Sequence, residues 1–126
     1  MNEARAIVER YLRDAVNGDC DSASALIADE SLLQELTSFR RAFPDLTSRV
    51  NLMVAQDDVV GVNLSGHGTH LGMFQGIPPT GRAWTTTCSA FFRVDGGRVS
   101  DAWVNWNLLS ILEQLGAIRR IGSGSA

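Results

Sequence analysis

The chain contains no lysine, and all eleven of its basic residues are arginine. This excludes lysine-dependent chemistry, including Schiff-base catalysis, a lysine-anchored pyridoxal phosphate and the lysine of a phosphate-binding loop. The chain has eleven basic and fourteen acidic residues, so its net charge is −3 and its pI is about 5.2. A nucleic-acid or anionic-membrane surface needs a clustered basic excess, so we expect neither partner.

Cysteines and long apolar runs are also scarce. Cys20 and Cys88 are too few for a disulfide framework or a cysteine-rich metal cluster. The first thirteen residues lack the apolar core of a signal peptide, and no apolar run approaches the roughly 20 residues that span a bilayer. We therefore expect a reduced, cytoplasmic protein. Its length fits a single domain over residues 1–121, and residues 122–126 have the Gly/Ser composition of a disordered tail or tag remnant.

Hydrophobic spacing changes from helical to alternating about a third of the way along the chain. The first part predicts three helices, over residues 4–16, 21–28 and 30–42, the last ending before Pro44. Four strands are predicted next, at residues 49–55, 59–70, 82–94 and 98–106, followed by a helix at residues 107–118. This order predicts an α+β domain in which helices cover one face of an antiparallel sheet.

Alternation along the second and third strands separates an apolar face from a polar one. In both strands the apolar face holds the even-numbered positions, from Val60 to His70 and from Trp84 to Val94. This face also carries small residues, namely Gly66, Gly68, Cys88 and Ala90. Small residues on an otherwise large apolar face leave volume for a ligand cavity, unless helix side chains fill that volume.

The last strand does not show which of its faces meets the helices. One set contains Asp101, Trp103, Asn105 and Asn107, while the other contains Ala102, Val104 and Trp106 and is also apolar. We favour Trp103 as a pocket residue, because it shares a strand face with the amides Asn105 and Asn107.

Several motifs then occur together: Phe-Pro-Asp-Leu at 43–46, Gly-Thr-His-Leu-Gly-Met-Phe-Gln-Gly-Ile-Pro-Pro-Thr-Gly-Arg at 68–82, Phe-Arg-Val-Asp-Gly-Gly-Arg-Val at 92–99, Trp103, and Leu-Glu-Gln-Leu-Gly at 112–116. In combination, the sequence from about Val8 to Gly116 resembles the SnoaL-like polyketide cyclases of the nuclear-transport-factor-two-like superfamily. The resemblance implies a cone-shaped, curved antiparallel or mixed sheet wrapped around N-terminal helices, with a C-terminal helix. It also implies a deep apolar pocket, homodimers or homotetramers, and no metal or organic cofactor.

The resemblance further implies a cofactor-independent cyclase that closes a ring on a small polycarbonyl or polycyclic intermediate, as in antibiotic biosynthesis. The alternatives are a hydroxylase or epoxide-opening enzyme of polyketide tailoring, or a non-catalytic small-molecule-binding module. The sequence departs from the family pattern in two ways. Asn107 stands where the family has an acid/base aspartate, and the family's strand and loop between the second and third helices are missing. The pocket is therefore expected to be more open, or covered by another subunit.

Two residues are predicted to act in catalysis, Asn107 and His70. An amide cannot take a proton from carbon at neutral pH, but Asn107 can donate a hydrogen bond to a developing enolate. Asn107 is equally suited to cap the last helix. His70 is the best substitute base, and its alternative role is structural, bonding to the Pro-Pro loop. His67 lies on the opposite strand face, so the two histidines do not predict a metal site.

The predicted substrate-binding side chains are aromatic, apolar or amide groups that suit a flat polycyclic ligand: Trp103, Asn105, Tyr11, Phe39, Leu64, Phe74, Trp84, Cys88 and Ala90. Helix and strand spacing explains most of the aromatic ones equally well as core residues.

Overall fold

The computed structural model describes residues 2–18 and 25–118. This part contains three helical segments: α1, Glu3–Tyr11, which continues directly into a π-helical turn, Leu12–Val16; α2, Glu30–Ala42; and α3, Leu108–Gln114. Four strands form one antiparallel sheet in chain order: β1, Thr47–Gln56; β2, Val59–Thr69; β3, Ala83–Asp95; and β4, Arg98–Trp106. The predicted α+β fold, a curved sheet with helices and a C-terminal helix, is confirmed.

Some predictions fall on residues outside the described part. These are Cys20, the tail at residues 122–126 and most of the helix predicted over residues 21–28. Of that helix, Ala25 and Leu26 are helical. Ile27 instead forms a parallel bridge with Val99, so the described end of this segment lies beside β4. Within the described residues, no helix is long and apolar enough to cross a membrane.

The first two helices begin at capping side chains and turn apolar stripes toward the sheet. Asn2 accepts a hydrogen bond from the Arg5 N–H to start α1, and Asp29 accepts one from the Ser31 N–H to start α2. Leu32 and Leu36, four residues apart on α2, are both buried. The predicted bounds of α2, residues 30–42, agree with the structure.

The inner face of the sheet, which packs against the helices, carries the even-numbered residues of β2 and β3. In this antiparallel pair Val60 lies opposite Phe92 and Leu64 lies opposite Cys88, and all four side chains are buried. The predicted apolar faces of both strands are therefore confirmed. On the opposite, outer face lie polar residues, such as Asn63 opposite Ser89.

A bulge in β4 decides which of its two faces meets the helices. Val99 is opposite Val94 on the inner face, but Asp101 is opposite Arg93, so Ser100 is an extra residue. One extra residue moves every later side chain to the other face. Val104 and Trp106 consequently lie on the inner face, opposite Ala90 and Cys88.

Trp103 and Asn105 therefore do not face the interior, and the expectation that they do is wrong. Both are on the outer face and exposed, and the Trp103 ring lies 5.7 Å from the Arg93 guanidinium carbon.

Inner-face glycines admit bulky rings close to the backbone. A Cβ on Gly66 would lie 2.5 Å from the Trp106 ring, and one on Gly68 would lie 3.0 Å from the Phe43 Cβ. The space at these two glycines is filled by aromatic neighbours rather than left as a cavity. Of the four small residues, Gly66 and Gly68 therefore serve close packing.

One end of the sheet is tied to all three helical segments by side chains that hydrogen-bond to strand backbone. We call this the anchored end. Asn17, directly after the π-helical turn, pairs its amide with the Ser48 backbone at 2.6 and 3.0 Å. Gln114 at the end of α3 pairs in the same way with the Thr85 backbone at 2.9 and 3.0 Å. Such pairs satisfy backbone groups that would otherwise need water or another strand.

Asp45, three residues after α2, makes the third connection. Its carboxylate accepts hydrogen bonds from the Thr69 hydroxyl at 2.6 Å and from the Thr69 N–H at 2.7 Å. These two bonds, the hydroxyl first, hold the pKa of the Asp45 carboxyl below its usual range. The Phe-Pro-Asp and Gly-Thr-His motifs thus meet in a structural contact.

We expect Asp45→Ala to lower the free energy of unfolding by about 1 kcal/mol at neutral pH, a modest value because the pair is exposed. Because the folded-state pKa is lowered, this stabilisation exists above the ordinary carboxyl pKa and is lost as the pH falls through the folded-state value. Urea unfolding at pH 7 and at low pH measures both effects.

Thr69→Val provides the control, since it removes only the hydroxyl. The two substitutions should be less than additive in the double variant. Additive losses, or an Asp45→Ala effect that does not shrink in acid, would contradict this role of the pair.

Candidate functional site

A cavity of about 190 Å³ lies between the helices and the inner face of the sheet. Its helix walls come from α1 and the π-helical turn, which supply Tyr11, Leu12 and Val16, and from α2, which supplies Leu32, Glu35, Leu36 and Phe39. Its sheet walls are Leu64, Cys88, Phe92, Val104 and Trp106, and Leu46 completes it. The wall is predominantly apolar, which suits a compact apolar ligand.

The π-helical turn brings successive residues of the first helical segment to the cavity. In this turn the Asn17 N–H bonds to the Leu12 carbonyl, five residues back, at 3.0 Å. The wider turn allows Leu12 and Val16 to line the cavity together with Tyr11. The Tyr11 ring also packs 5.3 Å from the Phe92 ring, which joins the helix wall to the sheet wall. Such turns often occur at functional sites.

Trp106 forms one end of the cavity wall and belongs to an aromatic cluster with Phe39, Phe43, Phe74 and Trp84. Its ring stacks on Phe39 at 5.3 Å with an interplanar angle of 19°, and it meets Trp84 edge-on at 5.6 Å. Because Gly66 has no side chain, the Trp106 ring can lie close against β2. The stack on Trp106 of β4 therefore fixes the position of the Phe39 ring.

Four of the predicted substrate-binding residues line the cavity: Tyr11, Phe39, Leu64 and Cys88. Trp84 and Ala90 lie on the inner face, almost completely buried, but outside the cavity wall formed by the described residues. Phe74 lies on the far side of Phe39, with its ring 6.0 Å from that ring.

His70 is completely buried and belongs to the loop after β2. The Thr80 N–H and hydroxyl both lie within hydrogen-bond distance of His70 Nδ1, at 3.2 and 3.0 Å. Nδ1 accepts from the Thr80 N–H, so the proton of a neutral ring is on Nε2, which has no hydrogen-bond partner among the described residues. His70 is outside the cavity wall, and its contacts are those of the structural alternative, bonding to the Pro-Pro loop.

Asn107 caps α3. Its Oδ1 accepts a hydrogen bond from the Ser110 N–H at 3.1 Å, and the residue is exposed. This is the capping role that its position before the last helix predicted. The side chain is not among the cavity-lining residues, so any contact with a ligand there stays a prediction.

The sequence did not predict Glu35 as a site residue, nor the apolar wall residues other than the four named above. Glu35 is the acidic side chain of the described cavity wall; it is exposed at the edge of the cavity and lies on α2 three residues after Leu32 and four before Phe39. That spacing places it beside the apolar stripe of α2 and could have identified it. Among the described residues, no group of three or more His, Cys, Asp or Glu side chains could hold a metal ion.

Comparison with known proteins agrees with this architecture. The sequence model of the SnoaL-like polyketide cyclases matches residues 3–115. The chain belongs to this family. A search of curated proteins finds no match to this sequence.

Solved structures of SnoaL-like proteins share the fold. The proposed polyketide cyclase IdmH from Streptomyces antibioticus is 26% identical, with a TM-score of 0.74 over 90% of this chain and 98% of IdmH. A proposed SnoaL-like polyketide cyclase from Jannaschia sp. CCS1 is 18% identical, with a TM-score of 0.80 over 93% of this chain and 94% of its own. AclR from Streptomyces galilaeus, a proposed hydroxylase, is 21% identical, with a TM-score of 0.79 over 97% and 86%.

Burial raises the pKa of the Cys88 thiol to about 11 from an ordinary value of 9.0, so this SnoaL-like chain carries a protonated thiol in its cavity wall at neutral pH. A raised pKa in the folded state means that the thiol's contribution to stability is complete below pH 9 and is lost between pH 9 and 11. Cys20→Ser keeps the Cys88 thiol, whereas Cys20→Ser/Cys88→Ala lacks it. As the pH rises through this range, the free energy of unfolding of the single variant should fall by about 2–3 kcal/mol more than that of the double variant. Denaturant unfolding at pH 8 and pH 11 measures the difference. Equal losses in the two variants would show that burial does not shift this thiol.

The contacts of His70 predict a loss of stability on substitution. His70→Ala should lower the free energy of unfolding by about 2–4 kcal/mol, because it opens a buried space and leaves the Thr80 N–H without its acceptor. Thr80→Ala, which keeps the ring, should cost about 1 kcal/mol. Urea unfolding compares the two, and a His70→Ala variant as stable as the wild type would contradict the structural role.

Proposed function

We propose that this chain is a cofactor-independent cyclase that closes a ring on a small polycarbonyl intermediate of polyketide type. One observation carries the proposal: an apolar cavity of about 190 Å³ lies between helices and sheet in a SnoaL-like fold. An engineered apolar cavity of about 150 Å³ holds benzene, so this one has room for a single ring or a small fused pair. The product of a ring closure is more compact than its linear precursor, and the cavity favours the compact form.

The reaction needs no oxidant and no added group. A carbon next to a carbonyl loses its proton, the resulting enolate attacks a second carbonyl of the same molecule, and the new alkoxide takes up the proton. Loss of water then gives the aromatic ring. Binding in the cavity holds the two reacting carbons close together. The flexible chain then loses its conformational entropy on binding and not in the bond-forming step, which is therefore faster.

Aromatic and branched side chains hold the substrate in this proposal. Tyr11, Phe39 and Phe92 surround the cavity on three sides, and the Phe39 ring is itself held by its stack on Trp106. Leu64 and Cys88 form the adjoining floor on the sheet. Rigid walls of this kind select one folded conformation of a flexible chain.

The proposed assembly is a homodimer or homotetramer, and the proposed location is cytoplasmic. The outer face of the sheet carries exposed apolar side chains that self-association would bury, among them Leu52, Val54, Phe91 and Trp103.

A second candidate is a binding module without catalysis. It is favoured by the contacts of Asn107 and His70, whose Oδ1 and Nδ1 atoms are used by α3 and by Thr80. Under this proposal the cavity binds the same class of small molecule but releases it unchanged. A hydroxylase or epoxide-opening reaction has no comparable support from the cavity wall.

A short linear triketone tests the first candidate, because its closure and dehydration yield a resorcinol with its own ultraviolet absorbance. The wild type should accelerate closure, and Leu64→Phe, which fills the cavity, should reduce kcat/KM by about tenfold or more. The matched control is Leu71→Phe, the same change at an exposed leucine outside the cavity and groove walls, which should leave the rate unchanged.

The outcome separates the two candidates. Saturable quenching of tryptophan fluorescence by the triketone, with closure at the uncatalysed rate, would replace the cyclase by the binding module. Equal effects of the two substitutions would show that the cavity is not the site.

A further inference from the structure

A groove of about 550 Å³ lies beside the cavity, on the other side of α2. One wall is α2 and the opposite wall is the turn at residues 73–75, whose Phe74 is anchored in the aromatic cluster. Four neutral polar side chains line it: Ser31, Gln34, Ser38 and Gln75. The groove thus differs from the cavity in chemistry as well as in position.

The cavity and the groove share two residues, Glu35 and Phe39. Helix geometry explains why. Residues four apart form a ridge along a helix, and Glu35 and Phe39 form such a ridge on α2. Leu32 and Leu36 lie on the cavity side of that ridge, while the groove side carries the polar residues of α2. The two spaces therefore meet at Glu35 and Phe39.

Size indicates that the two spaces work together. Sites for drug-sized ligands measure about 300–1,000 Å³. The cavity alone is below that range at about 190 Å³, while the groove, at about 550 Å³, lies inside it. A polyketide intermediate whose ring occupies the cavity therefore needs the groove for the rest of its chain, and reaches it across the ridge.

We propose that the cavity and the groove form one site for a two-part substrate, with Glu35 placed at the junction as the general base. The apolar part, one ring or a small fused pair, occupies the cavity. The remaining chain lies in the groove and is neutral and rich in keto, hydroxyl or amide groups. This follows from the groove wall, where the only charged side chain among the described lining residues is the acidic Glu35, so an anionic chain is disfavoured.

The role of Glu35 rests on the proposed cyclase function. The carbon that joins the two parts lies next to a carbonyl and reaches the ridge. There the carboxylate removes its proton, the enolate carbon forms the new bond to a carbonyl five bonds further along the same molecule to close a six-membered ring, and the proton passes from Glu35 to the alkoxide oxygen. Neither Asn107 nor His70 lies in the wall of either space, so Glu35 supplies the carboxylate that the cavity otherwise lacks.

Binding of three naphthol probes tests the two-part site. The first is naphthol itself, the second carries a neutral hydroxyalkyl amide chain, and the third carries a carboxylate chain of equal length. Titration calorimetry should give the neutral-chain probe a Kd about tenfold below that of naphthol, with no such gain for the carboxylate probe. The double variant Gln34→Ala/Ser38→Ala should remove the gain and leave the naphthol Kd unchanged.

Gln56→Ala/Ser89→Ala is the matched control, since both residues are exposed and lie outside the cavity and groove walls. It should change none of the three affinities. Equal Kd values for naphthol and the neutral-chain probe would overturn the two-part site, and so would a gain that survives Gln34→Ala/Ser38→Ala. Tighter binding of the carboxylate probe would overturn the neutral character of the groove.

The role of Glu35 is tested with the triketone. Glu35→Gln should lower kcat by about a hundredfold or more with little change in KM, because the amide keeps the shape but cannot accept the proton. Glu30→Gln, the same change at an acid of the same helix that lies in the wall of neither space, should leave kcat unchanged. An unchanged kcat in Glu35→Gln would overturn the assignment.

The two proposals fail differently. If the wild type does not accelerate closure, the cyclase function and the role of Glu35 both fall, while the naphthol affinities still decide whether the site has two parts. If ring closure is accelerated but the chain on naphthol adds no affinity, the protein is a cyclase whose site does not include the groove.

Discussion

The connection of all three helical segments to one end of the sheet is the constraint on which the rest of the structure depends. Asn17, Asp45 and Gln114 each follow or end a helical segment, and each bonds to the backbone of a different strand, at Ser48, Thr69 and Thr85. A single such contact is worth only about 1 kcal/mol. Three of them at the same end fix where the helices sit over the sheet. The gap left beyond this end, between α2 and the middle of the strands, is the cavity.

This arrangement explains why the family-like motifs say more about architecture than about chemistry. The residues of the Phe-Pro-Asp and Gly-Thr-His motifs make the bonds from Asp45 to Thr69 and from His70 to Thr80. The Gln-Leu-Gly motif supplies Gln114 for the third strand. Apart from Leu46 and Phe92, the cavity wall instead draws on residues between the motifs, such as Leu64 and Glu35. A motif can therefore identify the fold while leaving the reacting groups to be found from geometry.

Much of the fold could be predicted from the sequence, because a packed helix and a half-buried strand each impose a clear spacing. The bounds of α2 and the inner faces of β2 and β3 follow from that spacing alone. The faces of β4 do not, since one bulged residue at Ser100 inverts them and both alternatives are apolar. Glu35 was missed for a related reason: an exposed acidic residue beside an apolar stripe has the same spacing whether or not a cavity opens next to it.

The π-helical turn makes the cavity wall tolerant of a change in helix length. A π-helical turn holds about one residue more than an α-helical turn. Removing one residue between Leu12 and Val16 would therefore close the turn to ordinary helical geometry, and the residues on either side would keep nearly the same faces. Leu12 and Val16 would become three residues apart, which is still one face of a helix, and Tyr11 would stay at the cavity. Chains of this fold can therefore differ by one residue at this point and still present the same side of α1 to a ligand.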